Sequence, residues 1–127
     1  MKINLIQNTL IIMIIGIIMM TLSNIDFLPW WVFLLPVLIL GIIISLLKLN
    51  LKVFILGFIA GFVIWFGGNL FFDIKYNGFV LAKLANVLSV PKLLLPLVSG
   101  IIGGVITGLA MYVGKNVLKY TELTNVD

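Results

Sequence analysis

Asn69 and Asp73 are the polar side chains whose type and spacing could do chemistry inside an otherwise apolar segment. They fall one helical turn apart near the end of the run from Val53 to Phe72, so a helix would carry both on nearly the same face. A carboxylate held there could pass on a proton or hold a cation while the amide orients it, and an ionisable group in an apolar span is a functional candidate by default. A plainer reading competes with this one. Asp73 stands beside Lys75, where a helix end would let it be solvated, and Asn69 can bond a backbone carbonyl across a bundle. General acid and base work needs a second carboxylate spaced along the same helix, but Asp26, Glu122 and Asp127 belong to loops or tails. Asn69 and Asp73 therefore stand as a candidate polar site with no catalytic role attached.

The residue types that are missing restrict the chemistry further. The sequence has no His and no Cys, and its eight basic residues are all lysines. Without imidazole or thiolate, haem ligation, iron–sulfur clusters, the usual zinc sites and Cys or Ser-His nucleophiles lose their essential groups. We expect no enzyme activity, no cofactor and no metal. A formal charge of +4 would raise nucleic acid in a soluble protein, but here the lysines are scattered at the ends of apolar runs, where lipid headgroups account for them. We expect no nucleic-acid partner.

Those runs are the elements that must position any site. With 63% apolar and 9% charged residues in 127, no stretch can form a water-soluble domain, and the expectation is one integral membrane domain over 1–127. The runs Leu5 to Leu22, Trp30 to Leu47, Val53 to Phe72 and Leu93 to Val113 each approach the ~20 residues needed to cross a bilayer as helix. A β-barrel would alternate apolar and polar residues, and Leu10 to Met20 alternate nowhere. The fold class expected is all-α: a membrane-spanning four-helix bundle. Lys2 followed by an apolar run is reminiscent of a signal peptide, but the small-residue pattern of a cleavage site does not follow it, so a retained first helix is expected.

Lysine placement sets the orientation. Lys2, Lys48, Lys52, Lys115 and Lys119 fall on one side and Lys75, Lys83 and Lys92 on the other, five against three, which predicts a multi-pass cell-membrane protein with cytoplasmic N- and C-termini. Trp30, Trp31, Tyr76, Tyr112 and Tyr120 lie near the run ends, as interfacial aromatics do. Pro36 and Pro96, inside apolar segments, predict kinks. Between the third and fourth spans, residues 78–88 place Val80, Leu84, Val87 and Leu88 on one helical face and Lys83 and Asn86 on the other, the pattern of a short interfacial helix. The Ser89-Val90-Pro91 step predicts a break before the fourth span. Residues 115–127 are expected to form a short polar tail.

Glycine is the most specific pattern within the spans. Gly100, Gly104 and Gly108 recur every fourth residue, a glycine-zipper spacing, with Gly103 and Thr107 beside them. Gly57, Gly61 and Gly68 fall within about 40° of arc on the third span. Small faces let backbones approach closely, and in lipid that contact holds helices together, so all seven glycines are expected at helix–helix contacts. A glycine-lined pore or cleft is the alternative use.

Pro29-Trp30-Trp31, the segment Gly57-Phe-Ile-Ala-Gly61-Phe-Val-Ile-Trp65 and the glycine-rich stretch from Ser99 to Gly114 resemble a group of small four-helix bacterial membrane proteins of uncharacterised function. The resemblance covers most of the chain after the first span and implies the four-span fold without an activity, a ligand or site residues. Small multidrug exporters rely on a Glu in their first helix, which Leu5 to Leu22 lacks, and fluoride channels on a Gly-rich motif ending near an Arg. The function expected is a non-enzymatic module that packs in the lipid bilayer with itself as a homo-oligomer or with a larger membrane protein partner. The alternative is a subunit of an oligomeric transporter or channel lined by the third and fourth spans, and a holin-like lesion former is a third reading.

Overall fold

Runs of Leu, Ile, Val and Phe with few internal turn signals wind into helix, because an apolar segment satisfies its backbone groups most fully within itself. The computed structural model describes residues 2–49 and 51–124. These form α1 (Lys2–Ser23), a 3-10 turn (Trp30–Phe33), α2 (Leu34–Leu46), α3 (Val53–Lys75), α4 (Phe79–Leu88) and α5 (Leu94–Thr124). Among the described residues there is no strand. Three helices, α1, α3 and α5, are long and apolar enough to cross a membrane, which points to a membrane protein. The second expected span is shorter as a helix: 13 residues of α2 preceded by the 3-10 turn.

The long α5 packs along α3 on one side and α2 on the other, and α1 rests on α3. Ile15 of α1, Val37 of α2, Ala60 of α3 and Met111 of α5 are wholly buried where these helices meet. The outer faces carry apolar side chains instead of charges: Ile17, Ile39, Val63 and Leu109 are each about half exposed or more. The start of α1, the turn between α2 and α3 and the late turns of α5 meet at one end, where the Lys115 ammonium donates to the Leu51 carbonyl at 2.8 Å. At the other end lies α4.

Several expectations need correction. Neither Pro36 nor Pro96 kinks a helix interior, because each is the third residue of its helix, in the first turn where an N–H has no intrahelical partner to lose. Before Pro36 the backbone runs as 3-10 helix, with the Val32 N–H bonding the Pro29 carbonyl at 3.0 Å. The expected polar tail is helical through Thr124. From Lys115 to Leu123 no Gly or Pro stops the helix, and Lys, Leu and Glu sustain it. Residues 125–127, Asn50 and the side chains of Lys2 and Trp30 lie outside the described residues. The helix expected over 78–88 is present as α4, and the chain breaks at Ser89 (φ 54°) before Pro91. Its packed face is Leu81 and Ala85, whereas Val80, Leu84, Val87 and Leu88 point outward.

Candidate functional site

Glycine on α5 and phenylalanine on α3 build the tightest seam of the fold. Phe54, Phe58, Phe62 and Phe66 recur every fourth residue, so their rings stack along one face of α3, with successive centroids 6.4, 6.2 and 5.5 Å apart. That ladder lies over the glycine ladder of α5. A Cβ at Gly108 would stand 2.8 Å from the Phe54 carbonyl oxygen, one at Gly104 2.8 Å from that of Phe58, and one at Gly100 3.0 Å from Phe62 and Phe66. Gly57 faces Gly108 across the seam, and a Cβ there would meet its Cα at 2.8 Å. At Gly61 a Cβ would stand 2.6 Å from both the Gly103 carbonyl and the Thr107 hydroxyl, while Gly103 is covered by the Trp65 ring. Backbones therefore touch backbones, and no side chain larger than hydrogen fits.

Six of the seven glycines expected at contacts are brought together in this way. Gly68 is not: a Cβ there meets nothing within 4 Å. Its arc lies close to those of Gly57 and Gly61, but it is nearly two turns beyond Gly61, where the added Cβ has open space before it. Sequence reasoning passed over a second pair, Gly41 on α2 and Gly114 on α5, where the two backbones touch against Met111 and Leu38 carbonyls. A lone Gly in α2 and one at the end of the α5 glycine run carried no repeat to mark them. It also passed over the phenylalanine ladder, whose four-residue spacing was visible.

The polar residues sit above this seam. Asn69 donates through Nδ2 to the Trp65 carbonyl at 2.7 Å and to the Ser99 hydroxyl at 2.9 Å, tying α3 to the first turns of α5. Asp73 is 8% exposed. Its partner is Lys92, 2.7 Å away, and not the neighbouring Lys75, whose ammonium lies over the Tyr76 ring. The other carboxylate oxygen accepts the Leu81 N–H at 3.3 Å, and Lys92 also donates to the Gly78 carbonyl at 3.3 Å. Asn77 and Gly78, at φ 55° and 72°, make the reversal that folds α4 back over this pair. A Cβ on Gly78 would stand 2.9 Å from the Lys92 ammonium, which can swing aside, so it is the backbone angle that favours glycine here. Lys92 and Ser99 were missed as site members because pairings over 19 and 30 residues leave no local pattern.

Beside this junction an open groove of about 510 Å³ runs between Trp65 on α3, Leu88 at the end of α4 and Val90 after the bend, and Leu95, Val98 and Ile102 on α5. Its walls are apolar apart from Ser99. Chemically, the arrangement ties elements together. Asn69 and Asp73 turn to different partners, and Thr107, buried in the seam, spends its hydroxyl on the Gly103 carbonyl at 2.7 Å. Comparison with protein-family models, curated proteins and solved structures returned no match.

Proposed function

We propose that this chain is a multi-pass membrane protein with four crossing segments, and that it acts as a non-enzymatic module packing with itself or with a larger membrane partner. The observation that carries the reading is the use of its inward polar groups: Asn69 and Asp73 are engaged in bonds that join the protein's own elements, and Thr107 turns its hydroxyl back to a carbonyl of its own helix. The apolar side chains face outward, as a lipid solvent requires. The short second span agrees with this: 13 residues of α-helix and four of 3-10 helix reach about 28 Å at 1.5 and 2.0 Å per residue, against ~30 Å of hydrocarbon. A conducting path between α3 and α5, the alternative, finds its route filled where Gly57, Gly61, Gly104 and Gly108 bring the backbones together.

Extraction of membranes with alkaline carbonate, followed by purification in mild detergent and mass measurement, tests the proposal. The protein is expected in the membrane pellet and then in a species heavier than its 14.1 kDa monomer, either a homo-oligomer or a complex with another membrane protein. A monodisperse monomer that copurifies with nothing would overturn the module reading, and recovery in the carbonate supernatant would overturn membrane insertion.

A further inference from the structure

Where the start of α1 meets the turn before α3, the protein leaves a groove of about 380 Å³ between Asn8, Thr9 and Ile12 on one wall and Lys52, Ile55 and Ile59 on the other. That volume lies within the range of small-molecule sites, roughly 300–1,000 Å³. α1 and α3 both begin at this end and run the same way, so Lys52 and Asn8 stand toward the mouth. Ile12, Ile55 and Ile59 continue the groove inward for about 10 Å.

Asn8 Oδ1 is buried with no hydrogen-bond partner, the one such side-chain atom among the described residues. A buried acceptor left without a donor costs about 1–3 kcal/mol, so whatever fills the groove should bring one. Thr9 does not supply it, because its hydroxyl donates to the Leu5 carbonyl at 2.9 Å. Lys52 is exposed, and the one ion pair among the described residues, Asp73 with Lys92, is at the opposite end of the molecule. Lys115, another cation near this turn, donates to the Leu51 carbonyl. A cation, an unsatisfied acceptor and an apolar trough leading inward complement an amphiphile with an anion, a hydroxyl and a hydrocarbon chain. We propose that this groove binds an anionic phospholipid whose headgroup carries a hydroxyl. The phosphate pairs with Lys52, the hydroxyl donates to Asn8 Oδ1, and an acyl chain lies along Ile12, Ile55 and Ile59. A single water would satisfy Asn8 but leave the trough and the cation without a role.

The inference rests on the membrane reading, and its test separates the two. The protein is reconstituted into bilayers of phosphatidylcholine mixed with either phosphatidylglycerol or phosphatidylmethanol, which has the same charge and no headgroup hydroxyl. Lipids retained after gentle detergent extraction are counted by native mass spectrometry. Phosphatidylglycerol is expected to be retained over phosphatidylcholine, and about three- to tenfold over phosphatidylmethanol, the range of one net hydrogen bond. Asn8→Leu should erase the difference between the two anionic lipids while keeping both above phosphatidylcholine. Lys52→Gln, at an exposed position that leaves the fold intact, should bring both anions down toward phosphatidylcholine. Equal retention of the two anionic lipids by the wild type would assign Asn8 to water and overturn the proposal, as would equal retention of all three. Protein that fails to float with the bilayers in a density gradient would overturn the membrane reading itself.

Discussion

Asp73 shows how one side chain can look catalytic in a sequence and serve as a fastener in the fold. Its two oxygens hold different things: one the Lys92 ammonium just before α5, the other the Leu81 N–H in the first turn of α4. Lys92 is 45% exposed, so solvent screening limits the ion pair, and the pair together with the Leu81 bond contributes about 1–2 kcal/mol to seating α4. Asp73→Asn keeps an acceptor for Leu81 and loses the ion pair, whereas Asp73→Ala loses both. Amide hydrogen exchange in α4 should therefore rise in the order wild type, Asp73→Asn, Asp73→Ala, with exchange in the α3–α5 seam unchanged. Cellular function should survive Asp73→Asn. An abolished phenotype with normal assembly would support transport, since a moving cation or proton would need the ionised carboxylate.

At the scale of elements, much of the fold was legible because backbone physics in an apolar run leaves few choices. Leu5 to Leu22 and Val53 to Phe72 have to be helices, and Ser89-Val90-Pro91 has to interrupt one. What was not legible is how helices turn toward one another. An arc computed for α3 alone groups Gly68 with Gly57 and Gly61, but only the crossing with α5 decides that Gly68 faces open space. Phe54, Phe58, Phe62 and Phe66 read equally well as lipid-facing residues, and Asp73 read as solvated because Lys75 is near in sequence while Lys92 is near only in space. Two glycine substitutions turn this difference into a measurement. Gly104→Ile forces a side chain against the Phe58 carbonyl and should cost on the order of 1–3 kcal/mol in detergent unfolding, as overpacked sites do. Gly68→Ala meets nothing and should leave stability unchanged or raise it by up to about 1 kcal/mol, because Ala favours helix over Gly. A Gly104→Ile variant as stable as wild type would mean that the α3–α5 seam does not form as described.

For the whole molecule, the charge distribution and the packing make one joint statement. The turn before α3 and the late turns of α5 are tied by the bond from Lys115 to the Leu51 carbonyl, and the start of α1 lines the same groove as Lys52. The backbone positions of Lys2, Lys48, Lys52, Lys115 and Lys119 thus belong to one end of the bundle. Lys75, Lys83 and Lys92 belong to the other, where Asp73 offsets Lys92 and Asp26 in the α1–α2 loop offsets a second. Glu122 and Asp127, which follow Lys119 in the sequence, offset two lysines of the first end, so the difference between the ends stays at two, and basic loops are retained in the cytoplasm. Both termini and the 47–52 turn should therefore be cytoplasmic, with α4 outside. The chain has no Cys, so single cysteines at Asp26, Asn50, Lys83 and Lys119 report directly to an impermeant thiol reagent in intact cells. Asp26→Cys and Lys83→Cys should label from outside, and Asn50→Cys and Lys119→Cys only after permeabilisation. The reversed pattern would invert the orientation and leave the fold intact. Partial labelling at all four positions would mean that the chain inserts both ways, its charge difference being too small to choose.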